Sequence, residues 1–158
     1  MLPLRDNMKN VILTVLLMVA SLSAQNTIIP SDCVTTTNNT PRLFEYSQFL
    51  NLGQPFTVEI FTDPNTAFLV AIGLPTASVD VGILTGYAPW GTNTCFMHAW
   101  DVNTGVGVTA GDGRAMWTIP SLMCPQLIGT DVIFQAYVAC AGCPFGLAPT
   151  NGMAATVQ

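Results

Sequence analysis

The sequence predicts an all-β domain built as a two-layer antiparallel β-sandwich of about 7–8 strands. Three observations predict it. Apolar and polar residues alternate in short runs, at the period of two that puts one face of a strand on a core. No heptad and no sustained period of 3.6 runs through the chain, so long helices are not expected. Turn formers, 13 glycines and 11 prolines among 158 residues, interrupt it at short intervals.

The first element stands outside that domain. Arg5 and Lys9 precede an apolar run from Val11 to Ala20, and the stretch Ser21-Leu22-Ser23-Ala24 follows. This order is that of a secretory signal peptide over residues 1–24. The apolar run is about ten residues, half of the roughly 20 that a helix needs to cross the hydrocarbon core, so stable membrane insertion is not expected. No lipid-attachment cysteine or apolar tail is seen, and the expected product is soluble: secreted or extracellular, with the periplasm as the alternative.

Residues 25–51 read as an N-terminal segment and polar linker, with Thr35-Thr36-Thr37-Asn38-Asn39-Thr40 at its centre. Residues 52–158 then supply the sandwich. Pro55 to Phe61 is the first clear strand, with Phe56, Val58 and Ile60 on one side. Asp63-Pro64-Asn65 turns the chain, and Ala67 to Ile72, apolar on both faces, suits a central strand. Val79 to Leu84 and Cys95 to Trp100 are shorter candidates on either side of an irregular Gly/Pro stretch, Gly86 to Gly91. Asp101 to Gly105 reads as an Asx-type turn. Val106 to Thr109 and Arg114 to Ile119 flank Asp112-Gly113, a hairpin signal because glycine tolerates positive φ. Asp131 to Cys140 is the longest candidate strand, and Gly152 to Val157 closes the sheet.

Charge excludes some partners. The chain carries four basic and nine acidic residues, and behind the signal peptide only Arg42 and Arg114 remain basic. Nucleic acid binding is not expected, because phosphate backbones are held by cationic groups. With so few charges, Thr, Asn and Gly must supply the polar surface, which suits a protein that packs against copies of itself, extracellular matrix or glycans.

The five cysteines are Cys33, Cys95, Cys124, Cys140 and Cys143. In an exported chain disulfides are the expected state, and spacing alone leaves many two-bridge arrangements open. The preferred one makes Cys140–Cys143 a local clip and Cys33–Cys95 a long staple, leaving Cys124 over. Cys-x-x-Cys is also the spacing of thiol oxidoreductases, where a helix N-terminus lowers a thiol pKa; Pro144-Phe145-Gly146 follow here and no helix is expected. A structural role is therefore preferred, with thiol exchange as the lesser alternative.

No catalytic constellation is found. His98 is the only histidine and alternates with Phe96 and Trp100, as a sheet residue would. The serines lack a nucleophile-elbow setting, and the carboxylates fall at turns and strand ends. Neither a metal nor a cofactor is expected. Tyr87 and Trp90, in the Gly/Pro loop, and Trp100 are the candidates for a ligand face, since flat aromatic rings stack on sugars.

Leu52-Gly53-x-x-Phe56, an apolar strand ending in Gly73, Cys95, Asp112-Gly113-Arg114-Ala115, Ile119-Pro120, Leu127-Ile128-Gly129, Phe134-Gln135 and Asn151-Gly152 follow one another in a set order. In that order the chain, from about Cys33 onward, resembles a group of secreted single-domain β-sandwich proteins of planctomycete-like and other environmental bacteria. The resemblance implies an immunoglobulin-like or jelly-roll-like fold and a bacterial secreted origin, and no activity. Cys124 and the Cys140–Cys143 segment are extra to it. The function expected is that of a secreted non-catalytic protein with a structural or interaction role at the cell exterior, with a carbohydrate-binding or other recognition module as the alternative.

Overall fold

Phe56, Val58 and Ile60 are buried and the residues between them half-exposed, so the alternation seen in the sequence is the alternation of a strand with one face on the core. The computed structural model describes residues 26–45, 49–75, 78–90, 94–99 and 102–158. In them run β1 (Thr27–Ile29), β2 (Arg42–Glu45), β3 (Phe56–Phe61), β4 (Ala67–Gly73), β5 (Val79–Asp80), a short helix α1 (Val81–Thr85), β6 (Phe96–Met97), β7 (Val102–Val108), β8 (Arg114–Ile119), β9 (Asp131–Ala139) and β10 (Leu147–Thr156).

Two antiparallel sheets make the sandwich. The larger has the order β1-β10-β9-β4-β7 and the smaller β2-β3-β8. Between them lie Leu43, Phe56, Val58, Ile60 and Ile119 from the small sheet and Phe68, Val70, Phe134, Ala136 and Met153 from the large one. Phe56 stacks on Phe134 across the gap with ring centroids 5.1 Å apart. Burying one such side chain stabilises the fold by about 1.5–3 kcal/mol. As its two apolar faces foretold, β4 is a central strand, held between β9 and β7.

The Asp112-Gly113 signal marks a turn, but the strands beside it do not pair as a hairpin. β7 pairs with β4 in the large sheet and β8 with β3 in the small one, so the turn carries the chain from one sheet to the other. The β3–β4 connection makes the opposite crossing alongside. The two crossings are bonded together: Thr62 N–H donates to the Gly113 carbonyl at 2.9 Å, and Thr109 N–H to the Thr66 carbonyl at 3.0 Å. Gly113 is required there, because its φ is +81° and a Cβ would lie 2.2 Å from the Thr62 carbonyl oxygen.

Other elements also differ from expectation. Val79 to Leu84 forms two residues of strand and then α1, because the Asp80 carboxylate accepts from Ile83 N–H and Gly86, at φ 62°, ends the helix. The strand expected over Cys95 to Trp100 is reduced to Phe96–Met97, and Trp100 lies outside the described residues. The segment expected as an Asx-type turn instead opens β7 from Val102 on, with Asp101 outside the described residues. β10 begins at Leu147 and is longer than β9; a register shift between Pro149 and Gly152 accommodates the proline.

Residues 25–51, read as a segment and linker ahead of the domain, contribute β1 to the large sheet and β2 to the small one. The polar stretch within them is a closed turn, with Thr35 N–H donating to the Asn39 carbonyl at 2.8 Å. Asp63 ties it down, accepting from the Thr37 hydroxyl at 2.6 Å, Thr35 at 3.1 Å and Asn39 Nδ2 at 3.1 Å. Burial raises the Asp63 pKa, and those three donors outweigh it, so the group lies below its ordinary value.

Candidate functional site

Every residue of β9 between its two ends is buried, which a strand with a solvated outer face would not allow. The cover is the segment that carries β5, α1 and β6. Gln135, on the outer side of β9, holds it. Its Oε1 accepts from His98 N–H at 2.7 Å, and its Nε2 donates to the Phe96 carbonyl at 2.9 Å and the Thr150 carbonyl at 2.7 Å. The Cys33–Cys95 disulfide anchors the same segment to the chain after β1.

His98 is buried, 3 % exposed, with its ring over Gly152; a Cβ on that glycine would come within 2.9 Å of the imidazole. Nε2 faces the Pro30 carbonyl at 3.3 Å and Nδ1 the Ser78 hydroxyl at 2.7 Å. A carbonyl only accepts, so Nε2 carries the proton and Nδ1 accepts from Ser78. Burial lowers the His98 pKa and the Pro30 carbonyl partly restores it; the net direction is down. The imidazole thus works as a neutral clamp between β1, β5 and β10.

Between cover and sheet lies an apolar cavity of about 210 Å³. Its floor is Tyr137, Leu147 and Pro149 of the large sheet, and its roof is Val81, Trp90 and Met97. Leu84 and Phe145 line it too and are 66 % and 74 % exposed, so they form its rim. The polar tips of the lining are engaged elsewhere. Trp90 Nε1 donates to the Val34 carbonyl at 2.9 Å, and the Tyr137 hydroxyl bonds the Ala99 carbonyl.

Beyond β9 the same face opens gradually toward the terminal strand β7: on β4 Ala71 is buried, Leu69 half-buried and Ala67 exposed. Pro149, Tyr137, Leu69 and Val106 stand side by side in register, one from each of four strands. One step along, Val108 is paired with Ala67 and Leu147 with Ala139. Val106 and Val108 are 69 % and 62 % exposed. Their neighbours Gly105 and Gly107 face the other way, where a Cβ would meet the rings of Trp117 and Phe68.

The expected ligand-face residues separate. Trp90 is 1 % exposed, a core residue rather than a surface platform, because the disulfide at Cys33 brings the Val34 carbonyl to its indole. Tyr87 is half-buried and meets the Trp90 ring edge-on, centroids 5.3 Å apart. Trp100 lies outside the described residues. The cavity and the exposed valines escaped the sequence, which showed apolar residues on both faces of β4 but not that the cover stops short of β7, where Val106 and Val108 are exposed.

The cysteines pair as preferred, Cys33 with Cys95 and Cys140 with Cys143, and Cys124 is a free, exposed thiol whose Sγ lies 3.0 Å from Gln126 Oε1. Two disulfides suit an oxidising compartment. Among the described residues no helix is long and apolar enough to cross a membrane, and no three His, Cys, Asp or Glu side chains cluster as metal ligands would. No family model, curated protein or solved structure matches the chain.

Proposed function

We propose that the chain is a secreted, non-catalytic β-sandwich that acts by contact at the exterior of a bacterial cell, through the uncharged β4–β7 end of the outer face of its large sheet. The observation that carries this reading is the pair of exposed valines, Val106 and Val108, on a strand at the sheet edge beside the half-buried Leu69. Natural sheets blunt such edges with lysine, proline or inward charge, and β7 has none of these in Val102–Val108. Exposed apolar side chains on an unblunted edge strand mark interaction sites. The partner is a second copy or a matrix component with a similarly uncharged surface.

The glycan-binding alternative loses support, because Trp90, one of its platform rings, is buried. Thiol exchange is disfavoured, since Cys140–Cys143 precedes a single turn of 3₁₀ helix with no long helix dipole beside it.

Sedimentation of the mature protein over a range of concentrations, alone and with cell-envelope fragments, tests the contact reading. The wild type is expected to associate, and Val106→Lys with Val108→Lys to remain dispersed with its fold intact. A wild-type protein that stays monomeric and ignores envelope material overturns the reading.

A further inference from the structure

Phe145 is the point where the backbone departs most from what its side chain favours. Its φ is +60°, in the left-handed region that bulky residues rarely enter. The surrounding loop leaves it no other course. Cys140 is joined to Cys143 by the disulfide, Cys140 N–H donates to the Gly146 carbonyl at 2.9 Å, and Gly146 N–H to the Cys143 carbonyl at 3.0 Å. The product of this closed loop is a phenyl ring that is 74 % exposed yet lines the rim of the apolar cavity. Backbone strain that places an aromatic ring in water at the mouth of a pocket gives the fold nothing, and strain of this kind gathers at ligand clamps.

We propose that the cavity is a binding site for a small molecule carrying a compact hydrocarbon group of about six to eight carbons, with Phe145 and Leu84 closing on it at the rim. Size sets the upper bound. An apolar cavity of about 150 Å³ holds one benzene ring, so about 210 Å³ holds a group slightly larger. Chemistry sets the class. Among the described residues no charged side chain lines the cavity, and the Trp90 indole and Tyr137 hydroxyl in its lining are bonded elsewhere. A buried polar or charged group would therefore be left unpaired, so the polar part of the ligand stays outside, beyond Leu84. The site is separate from the β4–β7 end of the face, and its occupancy does not require that end to meet a partner.

The test uses the full mature chain with ¹³C-methyl methionine, the Met97 signal being assigned by Met97→Leu. n-Octanol and toluene are the probes. A saturable shift of the Met97 methyl that Leu84→Asp weakens about tenfold or more is expected, because the new carboxylate must be desolvated beside the hydrocarbon. No saturable shift from either probe up to its solubility, or undiminished binding in Leu84→Asp, overturns the proposal. Phe145→Gly separates binding from stability, since glycine adopts positive φ without strain. It is expected to bind about tenfold more weakly while its thermal midpoint is unchanged or higher. Undiminished binding in Phe145→Gly overturns the rim role of the ring.

Discussion

The Asn151 side chain gives Leu43 both of the hydrogen bonds that a neighbouring strand would give it. Its Oδ1 accepts from Leu43 N–H at 2.8 Å and its Nδ2 donates to the Leu43 carbonyl at 2.9 Å. One amide thus joins β10 of the large sheet to β2 of the small sheet, at the side of the sandwich away from β7 and β8. Asn151→Ala leaves a buried N–H and a buried C=O without partners, each costing about 1–3 kcal/mol. The expected loss is about 2–6 kcal/mol, read as a lower urea midpoint with the slope unchanged. A loss under about 1 kcal/mol would mean that water or local adjustment replaces the amide.

That contact also marks where the sequence stops being legible. The local period of two located β3 and β8, and largely apolar runs located β4 and β9, each to within a residue or so, because burial of one or both faces is written along the strand itself. What a strand pairs with is set by distant residues. Asp112-Gly113 has the local chemistry of a hairpin, yet the edges of β3 and β4 capture the flanking strands. The last strand was expected only from Gly152, whereas β10 starts at Leu147 and a register shift leaves the missing N–H of Pro149 harmless. Trp90 looked exposed in its Gly/Pro loop because Val34, its partner, is 56 residues away in sequence. The α1 boundary was open to inspection: Asp80 and Gly86 are a cap and a stop.

Gly111 and Gly113 occupy the same sheet crossing with opposite constraints. A Cβ on Gly111 meets nothing within 4 Å, whereas one on Gly113 lies 2.2 Å from the Thr62 carbonyl oxygen at a φ of +81°. Gly111→Ala is expected to fall within about 1 kcal/mol of wild type, and Gly113→Ala to cost more than about 2 kcal/mol. Thermal melts of the two variants check this, and equal midpoints would refute the double-crossing geometry.

The two disulfides differ in the loops they close. Cys33 and Cys95 are 62 residues apart, Cys140 and Cys143 only 3. Loop-closure entropy assigns about 4 kcal/mol to the first and under about 2 kcal/mol to the second. Cys33→Ser with Cys95→Ser is therefore expected to be the more damaging pair, and to loosen the cover so that amides of residues 96–99 exchange faster. Cys124→Ser, at an exposed thiol, is expected to change the midpoint little. Equal losses for the two bridges would contradict the anchoring role of Cys33–Cys95.

His98 makes the hold of the cover dependent on pH. Its partners are the Ser78 hydroxyl and the Pro30 carbonyl, with the Phe96 ring stacked at 5.8 Å, and among the described residues no carboxylate is bonded to it to stabilise a cation. Its folded pKa lies below the ordinary 6.5, by burial against the smaller opposing effect of Pro30. Above pH 6.5 the imidazole is neutral in folded and unfolded chains alike, and its full contribution is present. As pH falls below 6.5 the unfolded chain takes up the proton first, so stability declines until pH has passed the folded pKa. Asp63, held below 3.8, begins to cost stability only at lower pH, which leaves its window separate from that of the histidine. Urea midpoints are thus expected to drop between about pH 6.5 and 5 in the wild type and to stay flat there in His98→Gln. Protonation also turns Nδ1 from acceptor to donor, so the Ser78 hydroxyl must turn to accept, and the buried imidazolium is expected to loosen the cover so that exchange of residues 96–99 quickens in the same window. A midpoint that rises on acidification, or a drop that persists in His98→Gln, would show that the clamp is not the titrating group.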